Sequence, residues 1–93
     1  MDNLEAREIL RRHLETYRSR SYAQLTELIG EPHTCELSAP SGKSYQVEVE
    51  ALWDDQPDGN VRVMGSIDDG GWRAFVPLTQ SFIMACDGSL VGE

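Results

Sequence analysis

The sequence contains no apolar run approaching the roughly 18 residues that a membrane-spanning helix needs, so no membrane contact is expected. The opening residues, Met1 to Leu10, are charged and lack the apolar stretch of a secretory signal. A cytoplasmic location is the expectation. Cysteine is scarce as well. Cys35 and Cys86 stand alone, too few for a disulfide framework, and a reducing compartment would keep them as thiols. Basic residues are scarce over most of the chain. Residues 1–22 hold five arginines against four acids, whereas residues 23–93 hold three basic residues against twelve acids. The net charge of −8 repels nucleic acid and anionic lipid, so neither is an expected partner. A basic or neutral protein fits better. Acidity of this kind also serves solubility alone.

What remains is globular in composition. Of 93 residues, 40% are hydrophobic and 26% charged, close to folded averages, and residues 1–93 read as a single α+β domain. Asp2 or Asn3 can cap a first helix running to about Tyr17, with Leu4, Ile9, Leu10, Leu14 and Tyr17 as its apolar stripe. Ser21 and Gln24 have the spacing of a capping box that opens a short second helix. Leu25, Leu28 and Ile29 form the buried side of that helix, Gly30 ends it, and Pro32 prevents its continuation.

From His33 the apolar period changes from 3.6 to 2. His33, Cys35, Leu37 and Ala39 alternate with polar neighbours, and the turn Pro40–Ser44 follows. Tyr45, Val47, Val49, Ala51 and Trp53 then share one face, with Gln46, Glu48 and Glu50 on the other. Beyond the loop Asp54–Asn60, the residues Val61, Val63, Gly65 and Ile67 continue the inward set. Asp69-Gly70 reads as a two-residue hairpin turn. That turn pairs Ile67 with Trp72, Gly65 with Ala74, Met64 with Phe75, and Val63 with Val76. Trp53 paired with Val61 keeps the preceding hairpin in the same phase. Both Trp53 and Trp72 are then expected on the helix-covered face. Pro77 interrupts the ladder, so Leu78–Ala85 is expected to be a bent continuation or an edge strand, and Cys86-Asp-Gly88 a turn before a short tail. The expected architecture is an N-terminal helix plus a short second helix on one face of a four-stranded antiparallel meander.

The segment Gly65-Ser-Ile-Asp-Asp-Gly-Gly-Trp-Arg-Ala-Phe-Val-Pro-Leu-Thr-Gln-Ser-Phe-Ile83, with the ending Asp87-Gly-Ser-Leu-Val-Gly-Glu93, resembles the end of a family of small uncharacterised bacterial proteins. The stretches Tyr22–Gly30 and Tyr45–Asp55 look like that family too, so the resemblance spans most of the chain. The element order is similar to cystatin-like and nuclear-transport-factor-like folds. The resemblance implies a fold and no activity, since a fold does not by itself assign function.

No catalytic, cofactor or metal motif is expected to operate. Asp54, Asp55 and Asp58 cluster at one turn, and Asp68 and Asp69 at another. A calcium loop needs a glutamate about twelve residues from its first acid, and Gly65 stands there. The two turns lie at opposite ends of the Val61–Ile67 strand, roughly 20 Å or more apart. Asp and Gly are also ordinary turn residues. His33 and Cys35 share a strand face, but structural zinc wants four ligands and no second pair is evident, with His13 and Cys86 isolated in the chain.

The outer face of the sheet is more informative. Leu52, Met64 and Phe75 interrupt an otherwise polar surface, with Glu48, Glu50, Arg62 and Arg73 around them. An apolar patch with a charged rim is the anatomy of an interface. Leu52, Met64, Phe75, Arg62 and Arg73 are therefore the candidate partner-binding residues, and a twofold homodimer is the first expectation. Two other readings are an acidic inhibitor of a basic toxin, and a ligand binder or enzyme with a pocket between helix and sheet.

Overall fold

The computed structural model describes residues 1–71 and 77–93. Two helices precede four strands: α1 Asn3–Arg18, α2 Tyr22–Thr26, β1 His33–Ser38, β2 Ser44–Trp53, β3 Val61–Asp68 and β4 Leu78–Met84. The strands form one antiparallel sheet in the order β1-β2-β3-β4, so the fold is α+β. No helix among the described residues is long and apolar enough to cross a membrane.

Local chemistry sets the helix limits. Asp2 Oδ1 accepts from the Glu5 amide at 3.1 Å and caps α1. Ser21 and Gln24 form the reciprocal capping box that opens α2. Gly30, at φ +83°, turns the chain toward β1. The buried stripe of α1 is Ala6, Leu10, Leu14 and Tyr17, while Leu4 is 80% exposed. At about 100° per residue, Leu4 lies roughly 120° round the helix from Leu10, whereas Ala6 lies within about 40°. The expected stripe was right except at Leu4, and the small Ala6 fills its end.

Alternation places Tyr45, Val47, Val49 and Ala51 of β2 and Val61, Val63 and Ile67 of β3 in the core with the helices. Trp53 shares their parity and pairs with Val61, but it lies at the strand end and is half-buried. Phe82 and Met84 of β4 complete the core.

The partner of β3 differs from the one expected. Ile67 pairs with Leu78, Gly65 with Gln80 and Val63 with Phe82, while the other edge of β3 is held by β2. Met64 lies between Glu50 and Ser81. Trp72, Ala74, Phe75 and Val76, the partners expected from the Asp69-Gly70 turn, lie outside the described residues. The two registers differ by an even number of residues. Every inward side chain therefore stays inward in either one, and apolar alternation cannot separate them. Beyond β4 the turn closes with an Ala85 N–H to Ser89 carbonyl bond of 2.8 Å. The tail then returns beside β4: Leu90 bridges Met84, and Val91 N–H donates to the Ile83 carbonyl at 2.9 Å.

Helix α1 lies across β3 and β4, and α2 across β2 and β3. The seat of α1 is Gly65, where an added Cβ would stand 2.8 Å from Leu10 Cδ1 and 3.0 Å from Leu14 Cδ2. Gly65→Val should overpack this contact and lower stability by about 1–3 kcal/mol, with Gly65→Ala milder because only the flexible leucine ends must give. Urea denaturation of the two variants checks the order. An unchanged valine variant would show that the helix is not seated there.

At the other end of the same face, Tyr45 Oη–H donates to Glu5 Oε1 at 2.8 Å. Burial, with help from that bond, pushes the Tyr45 phenol up to about 12. An acid whose folded value is raised stabilises the fold fully below its unfolded value, near 10 for tyrosine. That contribution should be lost as the pH rises from about 10 toward 12. Alkaline stability curves of the native chain and Tyr45→Phe should therefore converge across this window. Parallel curves would contradict the assignment.

Candidate functional site

Two surfaces remain once the core is closed. One is the outer face of the sheet. The described apolar residues there are Leu52, Met64 and Ile83, which surround Arg62, because Arg62 pairs with Leu52 on one side and Ile83 on the other. Leu52 is 38% exposed. Ile83 is an apolar residue of this face that was not expected there. The sequence reading missed it because it left Leu78–Ala85 without a register. Phe75 and Arg73 lie outside the described residues.

Arg62 is not a free cation at this patch. Its Nε donates to Asp54 Oδ1 at 2.9 Å, its Nη2 lies 2.8 Å from the same oxygen, and its Nη1 reaches Ser81 Oγ at 3.3 Å. Asp54 is thereby a partner for arginine. Asp68 and Asp69 accept from the Gly70 and Gly71 amides, as turn residues do. No group of three or more His, Cys, Asp or Glu converges into a metal site among the described residues.

Among the described residues, the remaining charges of this face are acidic. Glu36, Glu48 and Glu50 project from it and are exposed. The registers Glu36 with Gln46 and Thr34 with Glu48 set Glu36 and Glu48 diagonally on adjacent strands, and Glu50 follows on β2. Gln46 Nε2 donates to Glu36 Oε2 at 2.9 Å. None of the three carboxylates makes an ion pair among the described residues. Like charges this close on a sheet face oppose one another.

The second surface lies on the helix side, between α1 and the edge strand β1. Ile9, Arg12, His13 and Thr16 form one wall, and Leu37, Ser38 and Pro40 the other, around an open void of about 460 Å³. A further 290 Å³ lies against Glu5 and Glu8, and shares Ile9, Arg12 and Pro40 with the first. Together they make one groove along α1.

Where α1 bridges to β1 and to the turn after it, it does so through side chains. Glu5 Oε1 accepts from Ser41 Oγ at 2.8 Å, His13 Nε2 lies 3.9 Å from Cys35 Sγ, and Tyr17 Oη lies 3.2 Å from His33 Nδ1. Arg20 stacks on the Tyr17 ring at 4.3 Å. Burial, then the Arg20 charge, lowers the His13 imidazole below its ordinary value, which favours its neutral form. Burial raises the Tyr17 phenol, against the opposing pull of Arg20. His13, isolated in sequence, thus meets Cys35 in space, while His33, expected beside Cys35, turns to Tyr17 and Cys86 stays apart and exposed. A neutral imidazole beside a half-buried thiol has the types of a nucleophile and its base, at a distance longer than such a pair uses in catalysis.

Comparison with protein-family models, with curated proteins and with solved structures found no match for the chain.

Proposed function

We propose that the chain is a non-catalytic protein-binding domain whose partner is a cationic segment received at the outer sheet face. The observation that carries this reading is the set of Glu36, Glu48 and Glu50 on a face that neither helix covers, next to the apolar trio Leu52, Met64 and Ile83. A cationic partner relieves the repulsion among the carboxylates and covers the apolar residues in one step. The same arrangement disfavours the homodimer. A twofold contact sets each patch against itself, and Arg62, the described cation that would pair with carboxylates of a second copy, is held by Asp54. An inhibitor of a basic toxin is one role within this reading.

A synthetic peptide of alternating lysine and valine tests it. The peptide should bind, lose affinity steeply with added salt, and lose about tenfold or more with Glu48→Lys/Glu50→Lys. That factor corresponds to about 1.4 kcal/mol. Binding that ignores both salt and charge reversal would overturn the reading. Sedimentation decides the self-associating alternative: a dimer dissociated by Ile83→Asp would replace the cationic partner with a second copy.

The His13–Cys35 approach favours a second reading, a reactive thiol in the helix–strand groove. Under it, Cys35 should react with a small disulfide faster than the exposed Cys86, and His13→Gln should remove the difference. On the binding reading, Cys86 reacts first and His13→Gln changes nothing. Mass mapping of the labelled thiol separates the two.

A further inference from the structure

The two edges of the sheet are finished differently. At β4 the returning tail closes the end of the edge, with Leu90 bridged to Met84 and Val91 bonded to Ile83. At β1 no backbone hydrogen bond reaches the outer edge of Thr34–Leu37 among the described residues. An open edge is normally blunted by lysine, proline or an inward charge. His33-Thr-Cys-Glu-Leu-Ser38 carries no lysine and no proline, and its inward positions Cys35 and Leu37 are uncharged.

The groove opens beside the Leu37–Ser38 end of this edge, with Pro40 beyond it. Its α1 wall from Glu5 to Thr16 is about 16 Å long at 1.5 Å per residue. Ile9, Leu37 and Pro40 give it an apolar lining. A strand added at β1 would alternate its side chains between this groove and the outer face. Its outward side chains would stand beside Glu36, with Glu48 one strand further in.

We propose that β1 receives an extended cationic peptide by strand addition, with apolar residues entering the α1–β1 groove and basic residues lying along Glu36 and Glu48. Main-chain pairing supplies affinity and the groove reads alternate side chains, as in other strand-addition sites. Charge selects this occupant over a second copy. A twofold β1–β1 pair would bring Glu36 of each chain together, between bodies of net charge −8. The proposal rests on the reading of the chain as a binder of cationic protein segments and adds the place and mode of docking.

The test uses the full chain, labelled for amide spectroscopy, and the lysine–valine peptide in three forms: unmodified, and N-methylated at alternate residues on one strand edge or the other. The unmodified peptide should shift the amides of Thr34–Ser38 together with Ile9, His13 and Thr16, and should slow hydrogen exchange along β1. One N-methylated form should retain binding and the other should lose tenfold or more, because only one edge faces β1. Equal binding by both N-methylated forms would overturn strand addition. So would salt-sensitive shifts confined to Glu48, Glu50, Leu52 and Met64, though the cationic-partner reading would then stand. No binding by the unmodified peptide overturns both. A free chain that sediments as a dimer with β1 amides already protected would give the edge to a second copy and overturn the proposal.

Discussion

The width of a helix against the width of the sheet is the constraint on which the remaining features depend. A helix with its side chains is about 10 Å across, while four strands at about 4.8 Å span nearly twice that. Gly65 lets α1 sink onto β3, where Leu10 and Leu14 fill the space a side chain would take. Seated there, α1 covers β3 and β4, and the five residues of α2 cover part of β2 and β3. Little backbone is left above β1. Cys35 and Leu37 are accordingly only half-buried, although they sit on the inward face. The groove is the space left by one long helix and one short helix over four strands.

Charge is distributed by the same division of labour. Glu8 binds both Arg11 and Arg12, and Glu15 binds Arg18, all within α1. The Arg11 and Arg12 hydrogen bonds hold the Glu8 carboxyl down at about 2. Such exposed intrahelical pairs add little stability. Their structural effect is to keep three arginines on the helix and away from the sheet. Arg62 is satisfied by Asp54 in turn. The carboxylates of β1 and β2 are left without a described cation, and Glu36 lies closest to the open edge. The acidic face is therefore a property of pairing as well as of composition.

How much of this is legible in the sequence depends on the range over which each signal acts. The capping residues Asp2 and Ser21 and the bend at Gly30 were legible because they bond or bend within a few residues, although α2 stops at Thr26, short of the Gly30 end expected for it. The Trp53–Val61 register was legible because it keeps the apolar residues of both strands in phase on one face. The β3–β4 register was not. Asp69-Gly70 has the composition of a two-residue hairpin, yet the strand that reaches Ile67 begins at Leu78 with the same parity. Ile83 was missed for that reason. Among the candidate partner-binding residues, Leu52 and Met64 keep the outward face expected of them, whereas Arg62 is tied to Asp54. The meeting of His13 with Cys35 had no local signal, since the two stand 22 positions apart with a second helix between them.

That meeting nonetheless follows from two spacings. Four residues of helix rise about 6 Å, and two residues of strand advance about 6.6 Å. A helix running antiparallel to a strand can therefore offer every fourth side chain to every second one. Residues 9, 13 and 17 of α1 do so, with Ile9 across the groove from Leu37, His13 at Cys35 and Tyr17 at His33. Between such contacts the helix turns its flank, Arg12 and Thr16, over the open side of the groove. A strand laid outside β1 would follow the same period as β1 and turn its inward residues toward the α1 side of the sheet. The match that joins α1 to β1 from within also makes the outer side of β1 suited to one more strand.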